Sequence, residues 1–220
     1  MTHRLRPGLS FCEADGRVIV LDVAADRYFQ LGPDLTARLR AVMAARGVAS
    51  CDAAALVARG FLVEDADGGT RGVTPFAWTE ARRSIGETAQ TAVPVRIVDL
   101  IAVTLALIRA WFLLEIWPFA RVMGRLAGRK PRLSSLRPGP DAEDWAARFN
   151  ICRSLLPLKT ICLRDSLALL EFLASKGRVA DLVIGVEVAP FSAHCWVQAA
   201  DQVLNDTLLR VRRHTPILAL

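Results

Sequence analysis

Lysine is scarce in this 220-residue chain: Lys130, Lys159 and Lys176 are the only lysines among 28 basic residues, the rest being arginine. Such a bias in an alanine-rich chain is compositional, so the formal charge of +6 does not by itself indicate a nucleic-acid or acidic partner. The five cysteines, Cys12, Cys51, Cys152, Cys162 and Cys195, are an odd set with no close C-x-x-C pair. That argues against a disulfide framework and a zinc ribbon, so no metal site is expected, and reduced thiols point to the cytoplasm. The first ten residues have no apolar core of signal-peptide length. The apolar run Ile97 to Ile108 contains Asp99 and is closed by Arg109, and the next run is broken by Glu115 and Pro118. These interruptions fall short of the roughly 18 uncharged residues of a spanning helix, so no membrane span is expected. No G-x-x-x-x-G-K-[ST] phosphate loop is present either. What remains is apolar, 53% hydrophobic against 23% charged, which excludes disorder for most of the chain and allows one large domain or two small ones.

The chain reads as an α+β protein in three parts, 1–70, 71–140 and 141–220. In the first, Leu9–Glu13, Arg17–Asp22 and Arg27–Leu31 are short strand-like runs, the first two joined by Asp15-Gly16, a hairpin turn in which both positions tolerate positive φ. Pro33 opens a helix ended by Gly47, and Ser50 caps a second one that stops at Gly60. A three-stranded sheet with helices is the outline of a winged-helix-like module. The Gly-rich stretch Asp65–Gly72 is a connection. Helices are expected at about Phe76–Thr88 and Val95–Leu126, with a break from Gly128 to Pro140 that holds three prolines.

The chemistry lies beyond that break. Trp145, Phe149, Cys152 and Leu156 form one stripe of a helix, so Cys152 reads as core. Cys162 differs. Pro157 ends the preceding helix, Thr160 is a candidate N-cap, and strong helix formers follow to Gly177. Cys162 then sits in a first helical turn, where unpaired N–H groups and the dipole favour a thiolate. Most cysteines in such positions are simply buried, so position alone leaves both readings open. Val179–Val188 and Ala193–Gln198 read as strands, and a turn at Ala199–Gln202 leads to a third, Val203–Asp206. One hairpin therefore holds His194 and Asp206 close enough for a carboxylate to orient an imidazole. Cys162, His194 and Asp206 supply a nucleophile, a base and an orienting acid. The only other histidines are His3, in a fraying terminus, and His214, in a basic run.

The segments Cys162-Leu163-Arg164-Asp165-Ser166-Leu167-Ala168-Leu169-Leu170, Leu182–Val186, Pro190-Phe191-Ser192-Ala193-His194-Cys195-Trp196-Val197 and Asn205-Asp206 resemble the B proteins of lasso peptide biosynthesis, which are transglutaminase-like (papain-like) cysteine proteases. The resemblance is dense over 150–210 and places the catalytic triad on Cys162, His194 and Asp206. Two positions depart from the pattern: Asp165 intrudes before Ser166, and Cys195 stands where alanine is usual. The first 70 residues resemble the PqqD-like precursor-recognition element that many B proteins carry in front of the protease. The resemblance implies that a leader peptide adds a strand along Arg27, Tyr28, Phe29, Gln30 and Leu31, beside the helix near Asp52–Arg59. It also implies a precursor peptide and an asparagine-synthetase-like macrolactam synthetase as partners, with any ATP dependence acting through the synthetase and no cofactor held by this chain. Residues 93–127 are a candidate docking surface for that partner, although core packing explains their apolarity as well.

Two other classes compete with a leader peptidase. One is an acyltransferase using the same three residues, and the other is a non-catalytic peptide- or DNA-binding adaptor. Against DNA, the second helix of the first module, Cys51–Arg59, offers almost no polar side chains to read base edges.

Overall fold

A computed structural model describes residues 2–45, 50–65, 73–87, 94–133 and 141–220. Contacts divide the chain into two units, Met1–Ala77 and Trp78–Leu220, which are taken in turn.

The first unit is built on an antiparallel meander of β2 (Leu9–Ala14), β3 (Arg17–Asp22) and β4 (Arg27–Gln30), in that spatial order. Asp15 and Gly16 both take positive φ, as the hairpin turn requires. The next turn is closed by Asp22, whose carboxylate accepts the Ala24 and Ala25 N–H groups at 3.1 Å and pairs with Arg6 at 2.8 Å. Helix α1 (Pro33–Ala44) starts on its proline, and α2 (Cys51–Ala58) is capped by Ser50, whose Oγ accepts the Ala53 N–H. Gly47, expected to end α1, lies outside the described residues. Phe11, Val18, Val20, Leu31, Leu39, Val42, Leu56 and Leu62 form the core. At about 1.5–3 kcal/mol for each fully buried large side chain, this burial holds the meander to the helices.

The terminus before the meander is ordered, contrary to the expected fraying. Strand β1 (Thr2–Leu5) pairs antiparallel with β5 (Leu62–Asp65), and His3 is buried opposite Glu64. The ladder forms because Leu62 is drawn into the core and Phe61 receives the Arg6 N–H, which aligns the two segments. Apart from Asp65, the Gly-rich connection lies outside the described residues.

The second unit centres on a five-stranded sheet of order β10, β7, β8, β9, β6, formed by β6 (Arg83–Ser84), β7 (Asp181–Val188), β8 (Phe191–Ala199), β9 (Gln202–Val203) and β10 (Thr215–Ala219). Among the described residues of this sheet β6 and β9 pair parallel and the other neighbours antiparallel. The helix expected over Phe76–Thr88 is absent; Thr88 lies outside the described residues, 76–84 is extended with β6 within it, and 85–87 form a turn closed by the Glu87 N–H on the Ser84 carbonyl. Its backbone donates to the sheet, Arg82 to the Asp201 carbonyl and Ile85 to that of Val203, while Ala81 and Ile85 are buried. Pairing with an open strand edge outweighs weak helix propensity here.

Helices α3 (Ile97–Ile116), α4 (Phe119–Leu133), α5 (Asp141–Ser154) and α6 (Cys162–Ser175) complete the unit with the short α7 (Leu208–Arg212). The expected break at Gly128 is not observed: α4 runs to Leu133 and includes Pro131, and 134–140 lie outside the described residues. Asp99 does not interrupt α3 but caps it. Its carboxylate accepts the Arg96 N–H at 3.1 Å and lies 3.7 Å from Arg148 of α5. The result corrects the expectation of a broken apolar run, because α3 is 20 residues long, contains an 18-residue window of mean hydropathy 2.2, and meets the length and composition of a membrane-crossing helix. Its inner side, Val103, Ala106, Leu107 and Ala110, is nonetheless buried, and the helix packs on α5 and α6.

Candidate active site

Helix α6 and strand β8 pack together and bring the three residues singled out in the sequence to one place. Cys162 is the first residue of α6 and half-buried, in the turn whose N–H groups have no intrahelical acceptor. The expected Thr160 cap is replaced: Ile161 is the N-cap, and its N–H is received by the Asp165 carboxylate at 3.4 Å. Asp165 is buried and also meets Arg153 of α5 and Arg164, both at 3.1 Å. The residue that departs from the family pattern thus ties the start of the cysteine helix to its neighbour.

His194 lies on β8, and its Nε2 is 2.5 Å from Asp206 Oδ2. A carboxylate only accepts, so Nε2 donates, and Nδ1 is left to bond the Cys162 sulfur, with which His194 is in hydrogen-bond contact. Asp206 does not lie on a strand, since the third strand ends at Val203 and Leu204–Asp206 bend away. Side chains fix that bend. The Asn205 carbonyl accepts the Val197 N–H at 2.7 Å while its amide donates to Ser166 Oγ at 2.9 Å. Asn150 donates to the Leu204 carbonyl at 2.8 Å, and the Ser84 hydroxyl donates to the Asp206 carbonyl at 2.5 Å. Asn150 and Ser84 were not singled out in the sequence, and Asn205 was noted there without a role. Asn205 had a signal, its place beside Asp206; Ser84 sat inside the segment misread as helix.

The electrostatics form a linked set. The Cys162 thiol is pulled down from 9.0 to about 4, first by hydrogen bonding to the Cys195 side chain, then by His194, with help from the Cys195 N–H and against burial. Burial alone would lower His194, but bonds to Asp206 and Cys162 outweigh it and raise the imidazole to about 9. Burial also opposes ionisation of Asp206, yet the bonds from His194 and the Thr207 N–H hold its carboxyl below the ordinary range. Cys195, buried and bonded to the Cys162 sulfur, is pushed well above the usual thiol range. Between about pH 4 and 9 the pair is thiolate and imidazolium.

The ring of His194 is flanked on its other side. Trp196 stacks at 6.2 Å and His214 lies at 5.2 Å between ring centroids. His214 is buried, its Nδ1 donating to the Arg210 carbonyl at 2.9 Å and its Nε2 3.2 Å from Ser192 Oγ. Gly185, opposite His194 across β7 and β8, makes this packing possible, because a Cβ there would lie 2.9 Å from both His214 and Trp196. The three residues open onto a cleft of about 520 Å³ whose wall includes Phe149, Arg153, Ile161 and Arg210.

The sequence-derived leader residues lie in the first unit. Arg27, Tyr28, Phe29 and Gln30 form β4, an edge strand of its sheet, with Arg27 and Gln30 exposed. Leu31 follows the strand, is buried in the core, and donates its N–H to Val18, so it presents no side chain at that edge.

Comparison with known proteins locates the chain. It is 48% identical over 78 residues to the microcin J25-processing protein McjB of Escherichia coli, a stretch covering 36% of this chain and 38% of that protein. The resemblance to lasso peptide B proteins is borne out by this match. No solved structure matches significantly. The model of the transglutaminase-like superfamily matches residues 104–219, just over half of the chain and the whole of the site, so the chain belongs to the transglutaminase-like superfamily.

Proposed function

We propose that this protein is a leader peptidase for a lasso-peptide precursor, with Cys162 as nucleophile, His194 as acid and base, and Asp206 as the group that orients His194. The observation that carries the reading is the site's geometry: a sulfur at a helix N-terminus bonded to an imidazole whose Nε2 is 2.5 Å from a carboxylate, all on one cleft. The thiolate attacks the scissile carbonyl, and the oxyanion is met by donors about 3 Å away, the Cys162 N–H at the head of α6 being one. The His194 imidazolium then protonates the leaving amine, and the neutral ring draws a proton from the water that hydrolyses the thioester. The products are the leader, ending in a carboxylate, and a core peptide with a free amine.

The first unit holds the leader in this reading. Leu31 donates to Val18, so residues 31 and 29 pair inward to β3, and the N–H and C=O groups of Tyr28 and Gln30 point to the open side of β4. An extended leader strand would bond to those groups. The freed amine passes to a macrolactam synthetase of the asparagine-synthetase-like class, through which any ATP requirement acts, and the protein works in the cytoplasm. The experiment is incubation with a lasso-peptide precursor. Wild type should release core and leader, and Cys162→Ala should release neither while still binding the leader. Core release by Cys162→Ala would refute the assignment. Transfer of the leader to an added amine, seen by mass, would instead favour an acyltransferase.

A further inference from the structure

Cys195 has no place in the proposed hydrolysis, yet it is the first of the contacts that set the state of Cys162. Both residues line the same cleft, Cys195 on the strand that packs against α6, and its thiol and N–H are among the groups that hold the Cys162 thiol low. All five cysteines are free thiols. The two cysteines meet at this cleft because β8 packs against α6, and Ser166 in the second turn of α6 also acts on the Cys195 thiol. Cys162 is half-buried and reachable from the cleft, while Cys195 is 5% exposed behind it. An accessible thiolate with a shielded thiol against it is the arrangement of a peroxide-reactive cysteine and its resolving partner.

We propose that Cys162 and Cys195 form a reversible disulfide on exposure to peroxide, which switches the site off and shields Cys162 from over-oxidation. In the first step the Cys162 thiolate attacks a peroxide oxygen. The O–O bond breaks, Cys162 becomes a sulfenic acid, and the departing hydroxide takes a proton from His194 to leave as water. In the second step the Cys195 sulfur attacks the Cys162 sulfur. The S–S bond forms, the S–O bond breaks, and the Cys195 proton leaves with that hydroxide as a second water. The balance is two thiols and one peroxide to one disulfide and two waters. A dithiol reductant reverses it by exchange. The loss of activity rests on Cys162 being the nucleophile; the disulfide itself does not, and it is read without any substrate.

The test uses the full chain with exposed Cys51 replaced by serine, treated with hydrogen peroxide and examined by intact mass and peptide mapping. The expected product has lost two hydrogens, joins the peptides of Cys162 and Cys195, and regains nearly all Cys162 alkylation after dithiothreitol. Under the same treatment Cys195→Ala should gain oxygen atoms at Cys162 instead, with recovery of alkylation at least about tenfold lower. Cys195→Ser, which keeps the size of the buried side chain, should behave like Cys195→Ala, so a packing defect in one variant does not decide the result. A cross-link between any other pair, or the same over-oxidation of Cys162 with and without Cys195, would overturn the proposal. If the disulfide forms but peptide cleavage persists, the proposed nucleophile is wrong and the thiol pairing stands.

Discussion

The thiolate–imidazolium pair leads to a measurement in which the shape of a curve matters more than its height. Cys162 is drawn from 9.0 to about 4. At pH 6 a thiol left at 9.0 would be about 0.1% ionised, whereas Cys162 is about 99% ionised, a gain of about a thousandfold in reactive form. Nucleophilicity falls with basicity, however, and a Brønsted slope of about 0.4–0.5 over this interval removes roughly a hundred- to three-hundredfold. The net advantage at pH 6 is therefore only about three- to tenfold, and by pH 8.5 an ordinary thiol is the faster one. A fast rate at one pH is thus poor evidence for activation. The evidence is a rate of iodoacetamide alkylation at Cys162 that rises through about pH 4 and then stays level to about pH 8.5.

His194→Ala removes one of the groups that hold the thiolate, leaving Cys195 and the helix terminus. The midpoint of the alkylation curve should move up by at least about one pH unit, toward the ordinary thiol range. The assay is peptide mapping of Cys162 in a Cys51→Ser background, so that no exposed thiol competes. A wild-type curve that climbs steadily to pH 9, or a midpoint unmoved by His194→Ala, would refute the ion-pair account. The sign for turnover follows from the same pair. Activity should appear as pH rises through the Cys162 titration near 4 and disappear above about 9, where His194 loses the proton it must give to the leaving amine.

Other perturbations separate positioning from chemistry. Asp206→Asn should cut the cleavage rate by about a hundredfold or more with little change in KM, since the imidazole loses its orienting acceptor; a rate within threefold of wild type would remove Asp206 from the site. Ser84→Ala deletes the hydroxyl donated to the Asp206 carbonyl and should cost about 1 kcal/mol in urea unfolding, with kcat lowered more than KM raised. Gly185→Ala forces a methyl to 2.9 Å from Trp196 and His214 and should destabilise the second unit by about 1–3 kcal/mol, read as a lower Tm. Gln30→Pro removes an N–H from the open side of β4 and should weaken leader binding about tenfold by fluorescence anisotropy, with the far-UV spectrum unchanged; unchanged affinity would move the leader away from this edge.

The legible parts of the fold are those whose determinants lie within a few residues of one another. Asp15-Gly16 needs only its own positive φ values to make a hairpin, and Ser50 needs only the amide three residues on to cap α2. The spacing of Trp145, Phe149 and Cys152 marks the buried side of α5 because helical periodicity is local, and Phe149 and Cys152 are indeed fully buried. Cys162 belongs with these, since Pro157 and a run of helix formers up to Gly177 are enough to place it at a helix start. His194 was placed on its strand by the same kind of evidence.

What could not be read depends on partners far along the chain. The segment around Ser84 has the composition of a helix and becomes a strand because β9, more than a hundred residues later, presents an open edge to it. The ladder that buries His3 exists only once Leu62 has been drawn into a core made by other elements. Asp99 looks like an interruption of an apolar run until Arg148 is seen beside it. Cys195 is the sharpest case. In the sequence it is a neighbour of the proposed base and a departure from alanine, and alternation along β8 would send it away from His194. Only the packing of α6 against that strand turns the departure into a contact with the sulfur of Cys162. Residues that set the state of a nucleophile are therefore harder to find than the nucleophile itself: a helix start shows in a dozen residues, whereas the groups bonded to its first side chain are chosen by how two distant elements dock.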